Sequence, residues 1–480
     1  MKLKACFRLL SILLAFATFF LICGIVPEAA PDPQGSKPEW TRITDTTEQN
    51  SYESIPARTS DGTLHVIWVR KNGNNYDLMH TAVDRDGKVA ASPSTVLSSW
   101  ATLSTPALVA AGSRLYAFWG GLRTTDVKDP YSGGKIYMTT SENSGARWNL
   151  DPGGKSTSNS TYASPTAAAI SKSGEFVTAW AVSFALGAHV GLDGKQPDLK
   201  LESRCCTYQP KFAVDSATGE VALAWYSNVS KENGLNVQTV LPTLGTANYV
   251  PGSADDSRAQ SLSADQVVGV TGRLDAPGIY VGYCSGYPTC KTVEVWPYRA
   301  AQPMMVEQAQ GARFVNIAAA PEGRLWVMWM RGGRIYATRS NRAANRFGRA
   351  ITVQPPPGTT DIWKVGGNGE LGPLDLLASM SVPANGLATW HTRVFPPLNL
   401  NASPSHFKAA EGGKVVFTVS DVGDPVSGAT VTVNGKTLTT DANGHASMTF
   451  PKGSKAGSDT ATAAMKDYTD AATKVTATAN

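Results

Sequence analysis

TGEVALAW (residues 218–225) and SGEFVTAW (residues 173–180) follow one pattern, a turn that ends in Gly and then an apolar strand that closes on Trp. Seven copies of this pattern occur along the chain. The other five are DGTLHVIW to Trp68, GSRLYAFW to Trp119, APGIYVGY to Tyr283, EGRLWVMW to Trp329 and NGLATW to Trp390. Most copies follow a partner segment such as SPTAAAI or QPKFAVD. The sequence therefore predicts a chain built from repeated antiparallel hairpins.

The repeats lie about fifty residues apart without helical stretches between them, which is typical of the blades of a β-propeller. A single four-stranded blade cannot bury both of its faces, so neighbouring blades must stack around an axis. We therefore predict an all-β fold with a propeller over residues 45–397. Seven motifs suggest seven blades, but one motif could belong to an incomplete blade, so six or seven blades remain open. A pair of β-sandwiches is the alternative, and seven similar hairpins at this period argue against it.

The segment SENSGARW (residues 141–148) follows a third strand and is rich in the turn formers Ser, Asn and Gly. It resembles the Asp box, the Ser-x-Asp-x-Gly-x-Thr-Trp hairpin of sialidase-type β-propellers. Asn143 stands where the family usually has Asp, and Arg147 stands where it has Thr. The resemblance implies a structural role for Ser141, Asn143, Gly145 and Trp148. The alternative is a tight hairpin whose polar side chains bond their own backbone, and it also assigns these residues no catalytic chemistry.

Residues 398–480 are rich in Thr, Ala, Val and Gly and contain neither Cys nor Trp. Segments such as GATVTVNGK alternate apolar and polar residues around Asn-Gly turns, which predicts a sandwich of short antiparallel strands. The stretch GDPVSGATVTVNGKTLTTDANGHASMTFP resembles the Ig-like modules of bacterial cell-surface and secreted proteins. The resemblance implies an Ig-like β-sandwich that acts as a spacer or an adhesive unit.

Residues 1–30 have the layout of an export signal, with three basic residues around the start of an apolar run from Leu9 to Val26. A Pro-containing linker over residues 31–44 follows. Two alternatives remain: a retained anchor, because about 18 apolar residues are borderline for crossing a bilayer, and a lipoprotein attachment at Cys23. We expect a secreted, extracellular or cell-surface protein that touches a membrane only through this segment, if the segment is retained.

Four cysteines follow the apolar run, namely Cys205, Cys206, Cys284 and Cys290. An even number of cysteines in an exported chain suggests disulfides. Cys284 and Cys290 stand on either side of a Gly/Pro turn in YCSGYPTCK, so we predict a disulfide between them. The adjacent Cys205 and Cys206 could form a vicinal bridge or stay reduced. A metal site is the rival interpretation, but no His stands nearby in the sequence, and we predict none.

The sialidase resemblance also implies a catalytic pattern. Sialidases hold a carboxylate sugar with three arginines, protonate the glycosidic oxygen with an Asp and attack with a Tyr that a Glu activates. Arginine suits the first task because its planar fork binds a carboxylate bidentately. In the family the first arginine belongs to a Tyr/Phe-Arg-Ile-Pro strand, and in YESIPARTSDGTL that position is Ser54.

A second segment, PEGRLWVMWMRGGRIYATRSNR, resembles the blade that carries a later arginine of the family. Its candidate ligand-binding residues are Arg331, Arg334 and Arg339. The preceding strand, FVNIAAAP, lacks the Glu usually found there, and exposed arginines along a hairpin are the alternative. We therefore leave the catalytic residues unassigned.

A net charge of +5 over 480 residues is mild, and the absence of a basic run argues against nucleic acid as a partner. The sequence also lacks a phosphate-binding loop and a nucleophile elbow, and we predict no cofactor. Since Ser54 replaces the first arginine, the sequence predicts a non-catalytic binding or adhesion protein for an extracellular glycan or protein surface. The alternative is a divergent extracellular glycoside hydrolase of the sialidase type.

Overall fold

The computed structural model describes residues 39–44, 54–90, 92–126, 135–149, 155–156, 166–182, 185–192, 198–203, 207–227, 233–253, 267–286, 289–383 and 386–479. All of them belong to one unit of the chain. Within these ranges the helical content is two single 3-10 turns, Thr124–Asp126 and Pro321–Gly323. The predicted all-β class is therefore confirmed. The predicted export segment, Cys205 and Cys206 lie outside the described residues. In the part that is described, no helix is long and apolar enough to cross a membrane.

The strands before residue 398 form antiparallel sheets. In chain order they are β1 Thr41–Arg42, β2 Ile55–Arg58, β3 Leu64–Asn72, β4 Asn75–Val83, β5 Ser94–Leu103, β6 Ala107–Ala111, β7 Arg114–Arg123, β8 Lys135–Ser141, β9 Lys155–Ser156, β10 Thr166–Ile170, β11 Phe176–Val182, β12 Ala185–Val190, β13 Thr207–Val214, β14 Val221–Ser227, β15 Gly234–Leu241, β16 Ala247–Tyr249, β17 Gly269–Gly272, β18 Ile279–Ser285, β19 Thr292–Pro297, β20 Met304–Gln308, β21 Arg313–Ala319, β22 Leu325–Arg331, β23 Arg334–Arg339, β24 Ile351–Val353, β25 Asp361–Asn368, β26 Leu374–Val382 and β27 Gly386–Val394.

The repeated Gly-to-Trp segments form the second strands of consecutive hairpins. β14, which holds VALAW, is buried along its whole length and pairs with β13 on one side and β15 on the other. In the turn that precedes β14, the Asp215 amide donates to the Glu220 carbonyl over 2.8 Å. Gly219 adopts a φ of 81° in this turn, a conformation that residues with a side chain rarely take. The Gly of the motif is therefore required by the conformation of the turn, and the apolar run that follows it is buried in the core.

The first strand of each hairpin lies innermost, and these inner strands form a ring. Their cyclic order of contact is β2, β6, β10, β13, β17, β21, β25 and back to β2. The starts of neighbouring inner strands lie together, because the Thr166 amide donates to the Thr105 carbonyl over 3.1 Å. Their ends also lie together, as the Ser60 amide donates to the Gly112 carbonyl over 2.9 Å. We call these two sides of the ring the strand-start face and the strand-end face.

The ring closes by pairing an early strand with a late one. β1 pairs with β27 in the register Thr41↔His391 and Arg42↔Trp390, so the sheet β25–β26–β27 receives its outer strand from near residue 40. Four other sheets run outward in simple chain order, for example β13–β14–β15–β16, whereas β2 to β9 form one continuous sheet of eight strands in which β5 pairs with β7. Sheets that meander outward from a closed ring of inner strands define a β-propeller.

Packing explains why small residues stand near the axis and large ones further out. A Cβ on Gly272 of β17 would lie 1.8 Å from the carbonyl oxygen of Val214 on β13, so only Gly fits this close approach. Trp225, further out, packs in one cluster with residues of the neighbouring sheet such as Ala179. Six of the seven motif-closing aromatic residues are buried, and Trp390 is partly buried.

The remaining strands form two sheets that pack face to face. They are β28 Asn399–Ser403, β29 His406–Lys408, β30 Gly413–Asp421, β31 Asp424–Pro425, β32 Thr430–Val433, β33 Lys436–Thr439, β34 His445–Phe450, β35 Gly457–Ala464 and β36 Ala471–Thr478. One sheet contains β28, β30, β31 and β34, and the other has the order β29–β36–β35–β32–β33. β34 alternates exposed and buried residues, and the buried ones join a core that includes Phe417 and Val431. This arrangement is a β-sandwich.

The predicted disulfide between Cys284 and Cys290 is present, with 5.5 Å between the two Cα atoms. Cys284 lies on β18, and the bridge spans the hairpin that leads to β19. This hairpin is on the strand-start face of the propeller.

Candidate functional site

Two of the three candidate arginines meet on the strand-start face. Arg331 ends β22, Arg334 begins β23, and the two residues are cross-strand partners. The Arg331 guanidinium lies 3.2 Å from the Glu307 carboxylate and 4.9 Å from the centre of the Tyr336 ring. The side chain of Arg334 is exposed. The hairpin therefore presents one anchored and one solvent-facing guanidinium.

The third candidate, Arg339, lies at the opposite end of β23, on the strand-end face. Its side chain is only 5% exposed and forms an ion pair with Asp421 of the C-terminal sandwich. The guanidinium carbon is 5.8 Å from the Trp326 ring centre and 5.1 Å from that of Tyr468. The structure thus separates Arg339 from Arg331 and Arg334 and commits it to an internal contact.

Ser54, which stands in place of the family's first arginine, is buried at 7% exposure. Its Oγ lies 2.8 Å from Oγ1 of Thr389, which is 3.2 Å from Oγ of Ser379. This hydroxyl network links the start of β2 to the sheet that closes the ring. The hydroxyl groups of Ser54, Thr389 and Ser379 are thus hydrogen-bonded to one another where the family has an arginine.

Arg58, four residues further along β2, is on the strand-end face and is buried. Its guanidinium pairs with Asp375 and donates from Nε to Asn368 Oδ1 over 3.0 Å. Asp375 also lies 2.9 Å from His391 Nε2 and 3.0 Å from Arg393 Nε. Burial alone would raise the pKa of Asp375, but the His391 hydrogen bond and the charges of Arg393 and Arg58 outweigh burial and lower it. The anionic carboxylate joins the two sheets at the closure of the ring.

A tyrosine–glutamate pair is present on β18 and β19, where Tyr283 faces Glu294. Tyr283 Oη lies 2.8 Å from Glu294 Oε2 and 2.5 Å from the Pro251 carbonyl oxygen. The ring is buried, and burial together with the nearby carboxylate raises the pKa of the Tyr283 hydroxyl. A nucleophilic phenol must reach its substrate, whereas the Tyr283 ring is 2% exposed and its hydroxyl is enclosed by Glu294 and the Pro251 carbonyl, so this geometry suits a structural hydrogen bond. The sequence offered no signal for this pair beyond the two residues on facing strands.

Trp363 is an exposed aromatic residue on an inner strand. Its side chain is 44% exposed, and it stands in β25 where the pairing with β26 shifts register between Ile362 and Lys364. The indole Nε1 donates to Ser381 Oγ over 3.0 Å, which fixes the orientation of the ring. A β-bulge re-aims side chains, and here it turns an aromatic residue toward solvent near the strand-start face. Sequence reasoning missed Trp363, although a Trp in a first strand is a departure from the small residues of the other copies.

The Ser141–Trp148 turn lies on the strand-end face. Ser141 Oγ accepts from the Gly145 amide over 2.9 Å and donates to Asn143 Oδ1 over 3.1 Å, and Asn143 Oδ1 accepts from the Arg147 amide over 2.9 Å. The Trp148 ring meets the His80 ring edge-on at 5.5 Å. The polar side chains of this turn bond the turn itself.

Under this turn lies a buried pair of histidines. His65 Nδ1 is 3.0 Å from His80 Nε2, and the outer nitrogens lie 3.1 Å from Thr59 Oγ1 and 3.2 Å from Ser94 Oγ. A Cβ on Gly145 would lie 2.3 Å from the His80 ring, so only Gly lets the turn sit this close. Burial lowers the pKa of His65 to about 4 and, with the neighbouring His65, that of His80 to about 3. The pair is therefore neutral near pH 7.

No family model matches the chain, and no curated protein matches it. Among solved structures it is similar to polysaccharide lyase Uly1, with 10% identity and a TM-score of 0.45 over 75% of this chain and 93% of the lyase. It is also similar to Trypanosoma rangeli sialidase, with 8% identity and a TM-score of 0.37 over 92% of this chain and 89% of the other. The Aleuria aurantia lectin, a six-bladed β-propeller that recognises fucose, matches with 13% identity and a TM-score of 0.35 over 60% of this chain and 91% of the lectin.

Proposed function

We propose that this chain is a non-catalytic, secreted or cell-surface protein that binds a glycan on the strand-start face of its propeller. The observation that carries the proposal is Trp363, an exposed aromatic ring held in one orientation on an inner strand. An aromatic face offers sugar C–H groups an apolar surface, and a ring that is already fixed loses little conformational entropy on binding.

The Arg331–Arg334 hairpin supports an acidic or polar sugar as ligand. It lies on the same face, in the sheet next to that of Trp363. A guanidinium presents paired donors that match a carboxylate or vicinal hydroxyl groups. Arg331 is anchored by Glu307 and Tyr336, so Arg334 is the residue we assign to ligand contact.

Three contacts favour binding over hydrolysis. Ser54 is bonded to Thr389, Arg339 is bonded to Asp421, and the buried Tyr283 has its hydroxyl bonded to Glu294 and the Pro251 carbonyl. The sialidase resemblance would require an arginine at position 54 and a ligand-facing arginine at position 339, and the chemistry of that family would require a tyrosine that the substrate can reach. Here each of them serves the fold.

The same proposal includes the finer architecture. Seven inner strands in cyclic contact support seven blades, and the alternating strands of the C-terminal sandwich support an Ig-like module. The Ser141–Trp148 turn then acts as a structural Asp-box hairpin. The Cys284–Cys290 disulfide supports an extracellular or cell-surface location, since disulfides persist in oxidising compartments.

The test is a binding screen of the full mature chain against soluble neutral and acidic polysaccharides. Trp363→Ala should weaken binding to any bound glycan by about tenfold or more, as truncation of a binding anchor does. Met305→Ala is the matched control, because Met305 is 60% exposed but stands on the outer strand β20, and it should bind like the wild type.

Equal binding by the wild type and the Trp363 variant would place the site elsewhere and refute the assignment of Trp363. Binding of no glycan, together with capture of a protein surface, would replace the glycan by a protein ligand. Cleavage of a bound glycan would favour the glycoside hydrolase instead.

A further inference from the structure

The strand-end face of the β21–β24 sheet carries an arginine cluster, consisting of Arg324, Arg339, Arg342 and Arg346. The tip of the β30–β31 hairpin of the sandwich, residues 421–424, meets this cluster. Asp421 is 1% exposed and is bonded by Arg324, at 3.3 Å, and by Arg339. The side chains of both arginines are nearly as buried, at 2% and 5%. Two propeller cations thus share one sandwich carboxylate inside the molecule.

Further bonds surround this pairing. Asp424 accepts from Arg324 at 2.8 Å and from the Arg342 amide at 2.7 Å. The guanidinium of Arg346 donates to the Val422 carbonyl oxygen. The hairpin tip is therefore bonded through side chains and through its own backbone.

The segment that joins the two domains is also fixed. Only residues 395–398 separate the end of β27 from the start of β28, and two of them are prolines. The Leu398 amide donates to the Thr469 carbonyl over 3.0 Å, and the Thr469 amide donates to the Pro396 carbonyl over 2.9 Å. A short, hydrogen-bonded and Pro-containing connection restricts rotation between the domains.

We infer that the C-terminal sandwich is docked in a single orientation on the propeller, with Asp421 as the residue that holds it there. The reason is electrostatic: if the hairpin left, the buried Arg339 would lose Asp421, and the buried Arg324 would lose Asp421 and Asp424 and keep the more distant Glu322, at 3.6 Å. The sandwich is then a fixed part of the protein and no flexible spacer. Its hairpin tip contacts the strand-end face of this sheet, at the opposite end from Arg331 and Arg334.

The experiment uses the full mature chain and the variant Asp421→Asn, which keeps the shape of the side chain and removes its charge. Asp459→Asn is the matched control, since Asp459 is exposed on β35 of the same sandwich. Small-angle scattering should give one compact particle for the wild type and the control, and a broader distribution of domain separations for Asp421→Asn. A broad-specificity protease should cut the connection in Asp421→Asn at least about tenfold faster than in the wild type, as expected when a buried charge pair is broken.

Asp424→Ala is the second variant, because Asp424 is at the rim of the contact with 20% of its side chain exposed. It should give an intermediate cleavage rate with both domains folded, so the inference stays testable if Asp421→Asn does not fold. A wild-type chain that already samples many domain separations would overturn the inference. Cleavage rates and scattering curves of both variants that match those of the wild type would also overturn the inference.

Discussion

The two faces of the propeller use the same kinds of residue in opposite ways. On the strand-end face, Arg58 and Arg339 are buried and paired with Asp375 and Asp421. On the strand-start face, Arg334 and the ring of Trp363 point to solvent. Arg58 and Arg339 on the strand-end face hold sheets and domains together, whereas Arg334 and Trp363 on the strand-start face are exposed and are the residues we propose for ligand contact. Charge and residue type alone therefore do not identify a site in this fold, and burial and pairing decide.

The largest expected effect follows from removing the anion at the ring closure. Asp375→Asn would leave Arg58 and Arg393 without their carboxylate and should lower the free energy of unfolding by about 3–5 kcal/mol. Urea unfolding at pH 7 measures this loss. Asp86→Asn is the control, since Asp86 is exposed, and it should stay within about 0.5 kcal/mol of the wild type.

If Asp375→Asn lowers the free energy of unfolding by less than about 1 kcal/mol, this ion cluster contributes little to stability. The strand-end arginine Arg58 would then not hold the sheets together.

A loss that is smaller for each residue is expected from acid. The unfolded chain protonates His65 and His80 near their ordinary pKa of 6.5, while burial lowers the folded values to about 4 and about 3. The stabilisation is therefore complete above pH 6.5 and is lost as the pH falls toward 4, because the unfolded state binds the protons first. Each histidine should contribute a loss of about 2 kcal/mol between pH 7 and pH 5.

Unfolding curves measured across this pH range test the expectation. His80→Gln should show a shallower decline than the wild type, although its stability at pH 7 is lower. His406→Gln, which replaces an exposed histidine, should follow the wild-type slope. Parallel slopes for all three proteins would show that the buried pair does not govern the acid response.

Much of the fold could be predicted because it depends on local properties. The turn glycines and the apolar runs that end on Trp repeat along the chain, and each copy forms the hairpin that its own sequence specifies. The disulfide was predictable for the same reason, since Cys284 and Cys290 flank a single turn.

The site could be predicted only in part, since its geometry depends on distant contacts. Arg339 and its partner Asp421 are 82 residues apart, so the sequence could not show that docking of the sandwich engages this arginine. Trp363 departs from the small residues of the other first strands, but the register shift beside it in β25 was not visible in the sequence. The replacement at Ser54 was visible in the sequence, whereas its bond to Thr389, 335 residues away, was not.

Whether the strand-start face binds without cleaving is tested by incubating the purified protein with a fluorogenic sialoside. Release of the fluorophore is followed beside a protein-free blank and the Trp363→Ala variant. We expect the wild type to release no more fluorophore than the blank, because Ser54 supplies no guanidinium and the buried Tyr283 does not reach a substrate. Sustained turnover by the wild type, reduced in Trp363→Ala, would show that this face cleaves its ligand and would establish a glycoside hydrolase.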